Sequence, residues 1–214
     1  MITVRVWFTK VNEAAYISLL DLQRVMGRAI KCSRIPAWYS LGFNPHLYLT
    51  FAAPLALGHE SMVESMDFKT EAENFDFEKA KTELSKVMPS GMQVLKIEKA
   101  NMPADKIAFA KYKISWSDEN IERVQNAINI YNESDSAPIE KKTKRGVKTI
   151  DLKEHVNSIE LMGNTAVLLL PAGNVLNINP ELLLTVLAKN GGVPVEDARV
   201  LRVALLTADK ENFS

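Results

Sequence analysis

One cysteine in 214 residues, Cys32, excludes a disulfide framework and with it a Cys-ligated zinc or iron–sulfur centre. Histidine is nearly as scarce: His46, His59 and His155 stand at spacings that assemble no metal site. Charge of one sign is also missing, since 26 Lys and Arg balance 26 Asp and Glu, so no overall basic field gathers nucleic acid. No apolar run approaches the ~20 residues that span a bilayer. The opening stretch Met1–Phe8 carries Arg5 and is too short for a signal-peptide core. Also absent are a glycine-rich phosphate loop, an HExxH motif, a GxSxG elbow and a Cys triplet for a radical cluster. The expectation is a cytoplasmic protein with no membrane association, no metal and no cofactor.

What is present is ordinary globular material, 47% hydrophobic and 24% charged. The length suits one or two domains, and a chain of this size buries ~70% of its unfolded surface. Val4 and Val6 alternate with Thr3 and Arg5, a strand over 2–10 that could continue through Tyr16-Ile17. Leu22, Met26, Ala29 and Ile30 recur at helical spacing and predict a helix from Leu19 to Ser33, stopped by Pro36. Two extended segments follow, 48–55 and 62–70, then a helix over 74–87 and a strand over 92–99.

The second half repeats that order. Tyr112, Ile114 and Trp116 mark a one-sided strand, and Ile121, Val124, Ile128 and Tyr131 a helix capped by Ser117 or Asp118. A hairpin over 158–170 turns at Gly163-Asn164, and Asn179-Pro180-Glu181 opens a helix that ends at Gly191-Gly192. Arg199–Leu206 supplies the last strand. The fold class predicted is α+β, two tandem ferredoxin-like βαββαβ units at 1–100 and 106–214. The second carries an extra basic hairpin over 138–152, turning at Arg145-Gly146.

Four features could carry chemistry. Ser18 with Asp21 three residues on is a capping-box pattern, and Asp21 is also a candidate ligand-binding carboxylate. Asp21, Arg24, Arg28 and Lys31 share the helix face opposite the apolar stripe, and Arg34 extends the group. That face is either merely solvated or a polyanion site, because guanidinium groups fork onto phosphate oxygens. Ser40-Leu41-Gly42-Phe43-Asn44-Pro45-His46 is turn-rich and would present Phe43 and His46 beside the helix. His46 could move a proton near neutral pH, or could serve only as a hydrogen-bonded structural residue.

The fourth feature is the basic hairpin. Residues 138–153 hold six Lys or Arg against two Asp or Glu, with Lys142, Lys144, Arg145 and Lys148 as candidate phosphate contacts. Few aromatics lie near it in sequence, which argues against base stacking there. Residues 60–83, by contrast, hold eight Asp or Glu and three Lys, an acidic edge that could dock a protein. Glu64 and Asp67 within it read as surface or hairpin positions rather than a catalytic pair.

Ser18-x-x-Asp21-Leu22-x-Arg24, Arg28-Ala29, Tyr39-Ser40-x-Gly42-Phe43-Asn44-Pro45-His46 and Pro54-Leu55-x-Leu57-Gly58 resemble the radical-SAM-linked domain family, a bacterial family of unknown function. Ser61 and Glu64 continue the likeness, and Lys148-x-x-Asp151-Leu152 looks like its second block. Members are usually encoded beside, or fused to, a radical S-adenosylmethionine protein. The resemblance therefore implies an accessory or substrate-binding role with such a partner. Leu19 stands where the family pattern has His, and Leu47 where it has Pro, so a two-histidine acid–base scheme is weakened.

Three functions are compatible with these features. One is an accessory RNA- or substrate-binding protein working with a radical S-adenosylmethionine enzyme on tRNA or rRNA. Another is a metal-independent RNA endonuclease of Cas6-like type, with His46 as proton shuttle and Arg28 or Lys31 as charge stabiliser. The last is a non-catalytic adaptor that docks a protein through the acidic edge.

Overall fold

Val4, Val6 and Phe8 alternate along β1 (Ile2–Lys10) and are buried on one face of it. The computed structural model describes residues 1–143, 146–173 and 176–214, with residues 142 and 143 described by backbone alone. The chain is α+β and divides into two compact units, Met1–Ile107 with Asn212–Ser214, and Ala108–Glu211.

In the first unit α1 (Leu19–Cys32) follows β1, then β2 (Thr50–Phe51), β3 (Glu60–Thr70), α2 (Phe77–Ser85) and β4 (Val94–Lys99). β1 pairs antiparallel with β3, Val4 opposite Phe68, and with β4, Val6 opposite Ile97. β2 pairs antiparallel with β3, so the strands lie in the order β4-β1-β3-β2. The apolar stripe of α1 (Leu22, Met26, Ala29, Ile30) and Ala80 and Leu84 of α2 bury against Val4, Val6, Phe8, Met66 and Phe68. Burial of such side chains contributes about 1.5–3 kcal/mol each, which makes this stripe the main reason α1 sits where it does.

The intervening residues of β1 point the other way, and Arg5 among them is fully buried. Its guanidinium forks onto Asp67 at 2.8 and 2.9 Å and donates to the carbonyls of Met102 and Ser214. Phe213 and Trp7 pack on the same cation. A buried charge needs this full set of partners. Asp67 is therefore a structural ion pair and not a surface position.

The second unit runs β5 (Phe109–Ser115), α3 (Ile121–Glu133), β6 (Pro138–Thr143), β7 (Gly146–Asp151), β8 (Leu161–Met162), β9 (Thr165–Pro171), α4 (Pro180–Gly191) and β10 (Arg199–Leu206). β5 pairs antiparallel with β10 and β9, and β9 with β8, giving the order β10-β5-β9-β8. β6 and β7 form a separate two-stranded sheet, from Pro138 opposite Asp151 to Thr143 opposite Gly146. Asn179 caps α4 by accepting from the Glu181 N–H, and Gly192 ends it at φ +64°.

Several local expectations are corrected. β1 does not continue to Ile17; residues 12–16 form a short 3-10 turn, entered through Asn12 at φ +53°. That turn buries Ala14 and Ala15, with Ala14 against Gly91, where a Cβ would lie 2.3 Å from the Val11 carbonyl. The predicted strand over 48–55 shrinks to Thr50–Phe51, because 33–49 is given over to a loop. α1 ends at Cys32 with Ser33 as its C-cap, as expected to within one residue, but the turn that stops it is Arg34 in the left-handed region (φ +56°), before Pro36 is reached. Neither Ser117 nor Asp118 caps α3; a 3-10 turn over 118–120 precedes it and its N-cap, Asn120, makes no capping bond.

Candidate functional site

The loop between α1 and β2 supplies one wall of a recess and α1 the other. Ser18 caps the helix by accepting from the Asp21 N–H at 3.2 Å, and its hydroxyl donates to the Asp21 carboxylate at 2.7 Å. The carboxylate thus bonds the Ser18 hydroxyl rather than its backbone. Arg24 also reaches Asp21, at 2.9 Å. The Ser18 hydroxyl first and Arg24 second hold the Asp21 carboxyl below its usual range. Asp21 is a cap and a counter-ion, and it neutralises the first cation of the stripe.

One and two turns on, Arg28 and Lys31 are exposed and have no carboxylate partner among the described residues. Lys31 stands in the last turn of α1, where a cation also complements the helix dipole. Arg34 leaves the group. It lines a different pocket with Asp76, Lys79 and Glu83, because the left-handed turn at this residue redirects the chain.

The bend over 40–46 is closed by its own ends. The Ser40 N–H donates to the His46 carbonyl at 2.9 Å, and the His46 N–H donates to the Ser40 hydroxyl at 3.0 Å. Ser40 Oγ also lies 2.7 Å from His46 Nδ1, with the Asn44 carbonyl 3.4 Å from the same nitrogen. Nδ1 is thus committed to the loop, and Nε2 is the ring nitrogen left for a ligand. Gly42 takes φ +123°, which a side chain would resist. A Tyr39–Leu47 bridge ties the base of the bend, and half-buried Leu47 and Leu49 pack on the core beside α1.

Together these elements enclose an open recess of about 510 Å³. Arg24, Arg28, Lys31 and His46 line it, with Tyr39 and Tyr48. Phe43 does not: it stands fully exposed at the tip of the bend, with Leu41 beside it. Ser40 and Asn44 act on the recess through His46. Tyr39 stands in the family motif but had no role assigned from sequence, and Tyr48 fell in the expected strand over 48–55, so neither ring was a candidate.

The basic hairpin belongs to the other unit. Lys148 is exposed and sits opposite Lys141, whose ammonium donates to the Asn177 carbonyl. Lys144 and Arg145, and so the first residue of the predicted Arg145-Gly146 turn, lie outside the described residues, as does the side chain of Lys142. Asp151 is structural: it accepts from the Ala137 and Lys153 N–H groups at 2.8 and 3.0 Å, pinning the root of the hairpin. Those two bonds hold its carboxyl below the usual range. Tyr131, fully buried, donates to the Val156 carbonyl at 2.6 Å, and burial pushes its hydroxyl up to about 12.

The acidic run is not one surface. Glu60 and Glu64 are buried and Asp67 is bound to Arg5, so Glu64 is no surface position. Among the described residues no group of three His, Cys, Asp or Glu is placed to hold a metal ion. No described helix is long and apolar enough to cross a membrane.

Residues 3–188 match the family described as "uncharacterized protein conserved in bacteria (DUF2344)". The chain belongs to this family. The matched range spans the residues of the recess and of the hairpin alike. No curated protein matches the chain.

Proposed function

We propose that this DUF2344 protein is an accessory RNA-binding protein that works in the bacterial cytoplasm with a radical S-adenosylmethionine enzyme in RNA modification. The observation that carries the reading is the recess, which sets Arg28 and Lys31, without carboxylate partners, beside the free Nε2 edge of His46. Unneutralised cations around a concave site favour a phosphate-bearing guest. The radical S-adenosylmethionine partner rests on the family resemblance of the 18–64 segment. Each unit is read as a ferredoxin-like βαββαβ sandwich, supported by matching strand orders and two helices per unit. The hairpin carrying Lys148 is the second unit's addition to that plan.

Gly27 offers a clean test, because it lines the recess and a Cβ there meets only Leu49, at 3.9 Å. Gly27→Glu places a carboxylate among Arg24, Arg28 and Lys31 without crowding α1. Binding of labelled tRNA at low salt is expected to fall about tenfold or more in this variant and in Arg28→Ala/Lys31→Ala. Unchanged affinity in both would overturn the reading.

One observation favours a second reading, the RNA endonuclease. Ser40 fixes the His46 ring and leaves Nε2 for proton transfer beside Arg28 and Lys31. Incubating end-labelled RNA with wild type and His46→Ala decides it. Cleavage lost in the variant would establish the nuclease, whereas intact RNA with wild type removes it.

A further inference from the structure

The recess contains more than charge. Tyr39 and Tyr48 are 39% and 58% exposed along its wall, and neither hydroxyl has a hydrogen-bond partner among the described residues. Half-buried Leu47 and Leu49 also line it, so the lining combines apolar, aromatic and cationic side chains. Its volume, about 510 Å³, falls in the ~300–1,000 Å³ range of small-ligand sites and exceeds what an inorganic anion fills. The rings are not on a floppy segment, since the Tyr39–Leu47 bridge and the Ser40–His46 bonds fix both ends of the bend.

Resting on the RNA-binding reading above, we propose that the recess receives one unpaired nucleotide, its base stacked on Tyr39 or Tyr48 and its phosphate held by Arg28 and Lys31. Every base has a π-face, and an exposed tyrosine ring beside cations is the pairing that single strands use. His46 Nε2 then meets a polar edge of the base or a phosphate oxygen. A paired base cannot enter, because its ring faces are covered by its neighbours in the stack. The recess therefore selects loops, bulges and ends over helical RNA.

Fluorescence anisotropy with a labelled single-stranded 12-mer of mixed sequence tests this, alongside an abasic ribose–phosphate 12-mer and a duplex of equal length. The intact single strand should bind most tightly. Tyr39→Ala/Tyr48→Ala should weaken it about fivefold to a hundredfold and leave the abasic oligomer unaffected. Tyr39→Phe/Tyr48→Phe, which keeps both rings, should bind like wild type. Arg28→Ala should weaken intact and abasic oligomers alike.

Equal affinity for intact and abasic strands, or wild-type binding by the double Ala variant, would overturn the stacking site while sensitivity to Arg28→Ala would leave the RNA reading standing. Equal competition by polyglutamate would assign the recess to an acidic protein segment and overturn the nucleotide. Loss of the Arg28 effect would remove the underlying function as well.

Discussion

The two units share a strand order and differ in what they insert between their first helix and second strand. In the first unit that connection is the irregular segment 33–49; in the second it contains the β6–β7 hairpin. The irregular segment folds back on its own helix through Leu47 and Leu49 and leaves a recess. The hairpin satisfies its backbone by pairing with itself. Its middle residues, 146–149, are exposed, and it is held at its root by Asp151. The helices differ in the same sense. The exposed face of α1 carries three cations, Arg24, Arg28 and Lys31, with one carboxylate, Asp21, whereas the exposed charges of α3 are Glu122, Arg123 and Glu133. A helix in this position needs no cationic stripe to fold, so the stripe on α1 belongs to the recess and not to the architecture.

The largest effect that would sharpen the comparison is expected at Arg5. The first unit relies on this buried cation, and Arg5→Ala leaves Asp67 and the Met102 carbonyl without their donor. Urea unfolding should show a loss of about 3–5 kcal/mol, partly recovered in Arg5→Ala/Asp67→Ala. An effect under ~1 kcal/mol would mean that water replaces the cation at little cost.

Helical glycines separate the units next. Gly191 lets α4 lie against α3, since a Cβ there would stand 2.6 Å from Ala127 Cβ and 2.8 Å from the Arg123 carbonyl. Gly191→Ala should therefore destabilise by about 1–3 kcal/mol. The same change at Gly27 of α1 meets only an ordinary contact with Leu49, at 3.9 Å, and should stabilise by about 0.5–1 kcal/mol through helix propensity. Thermal melts of the two variants should move in opposite directions, and shifts of one sign would break the contrast.

How much of this was legible depends on what each signal measures. Periodicity located α1, α2 and α3, because burying a stripe such as Leu22, Met26, Ala29 and Ile30 is the same physics that drives packing, whereas α4 was read from its start and stop signals. The caps at Ser18 and Asn179 and the stop at Gly192 are local hydrogen-bond chemistry and were equally readable. Arg28, Lys31 and His46 were legible as candidates, and their meeting in one recess is tertiary. Tyr39 and Tyr48 were not, since nothing local marks a ring that faces a cavity. Arg34 and Glu64 were misjudged for one reason: a single left-handed residue, or the second face of a strand, changes which side of the fold a charge occupies.

Smaller pH effects should belong to the second unit. The Asp151 carboxyl is held low in the folded state, so its contribution is present at neutral pH and is lost as pH falls below about 4. The Tyr131 hydroxyl is raised to about 12, so the unfolded chain releases its proton first and stability falls as pH climbs from about 10. Protection of the amides of α3 and β7 against hydrogen exchange, taken relative to the intrinsic exchange rate at each pH, should fall at both extremes. Tyr131→Phe should flatten the alkaline limb, and an unchanged limb would assign it to another group.

The central claim, that Arg28 and Lys31 together hold a phosphate of a single-stranded RNA, is tested most directly by its salt dependence. The slope of log affinity against log salt should be shallower in Arg28→Ala/Lys31→Ala than in wild type by about 0.7, the value for one phosphate contact on a single strand. Equal slopes and equal affinities for the two proteins would contradict it.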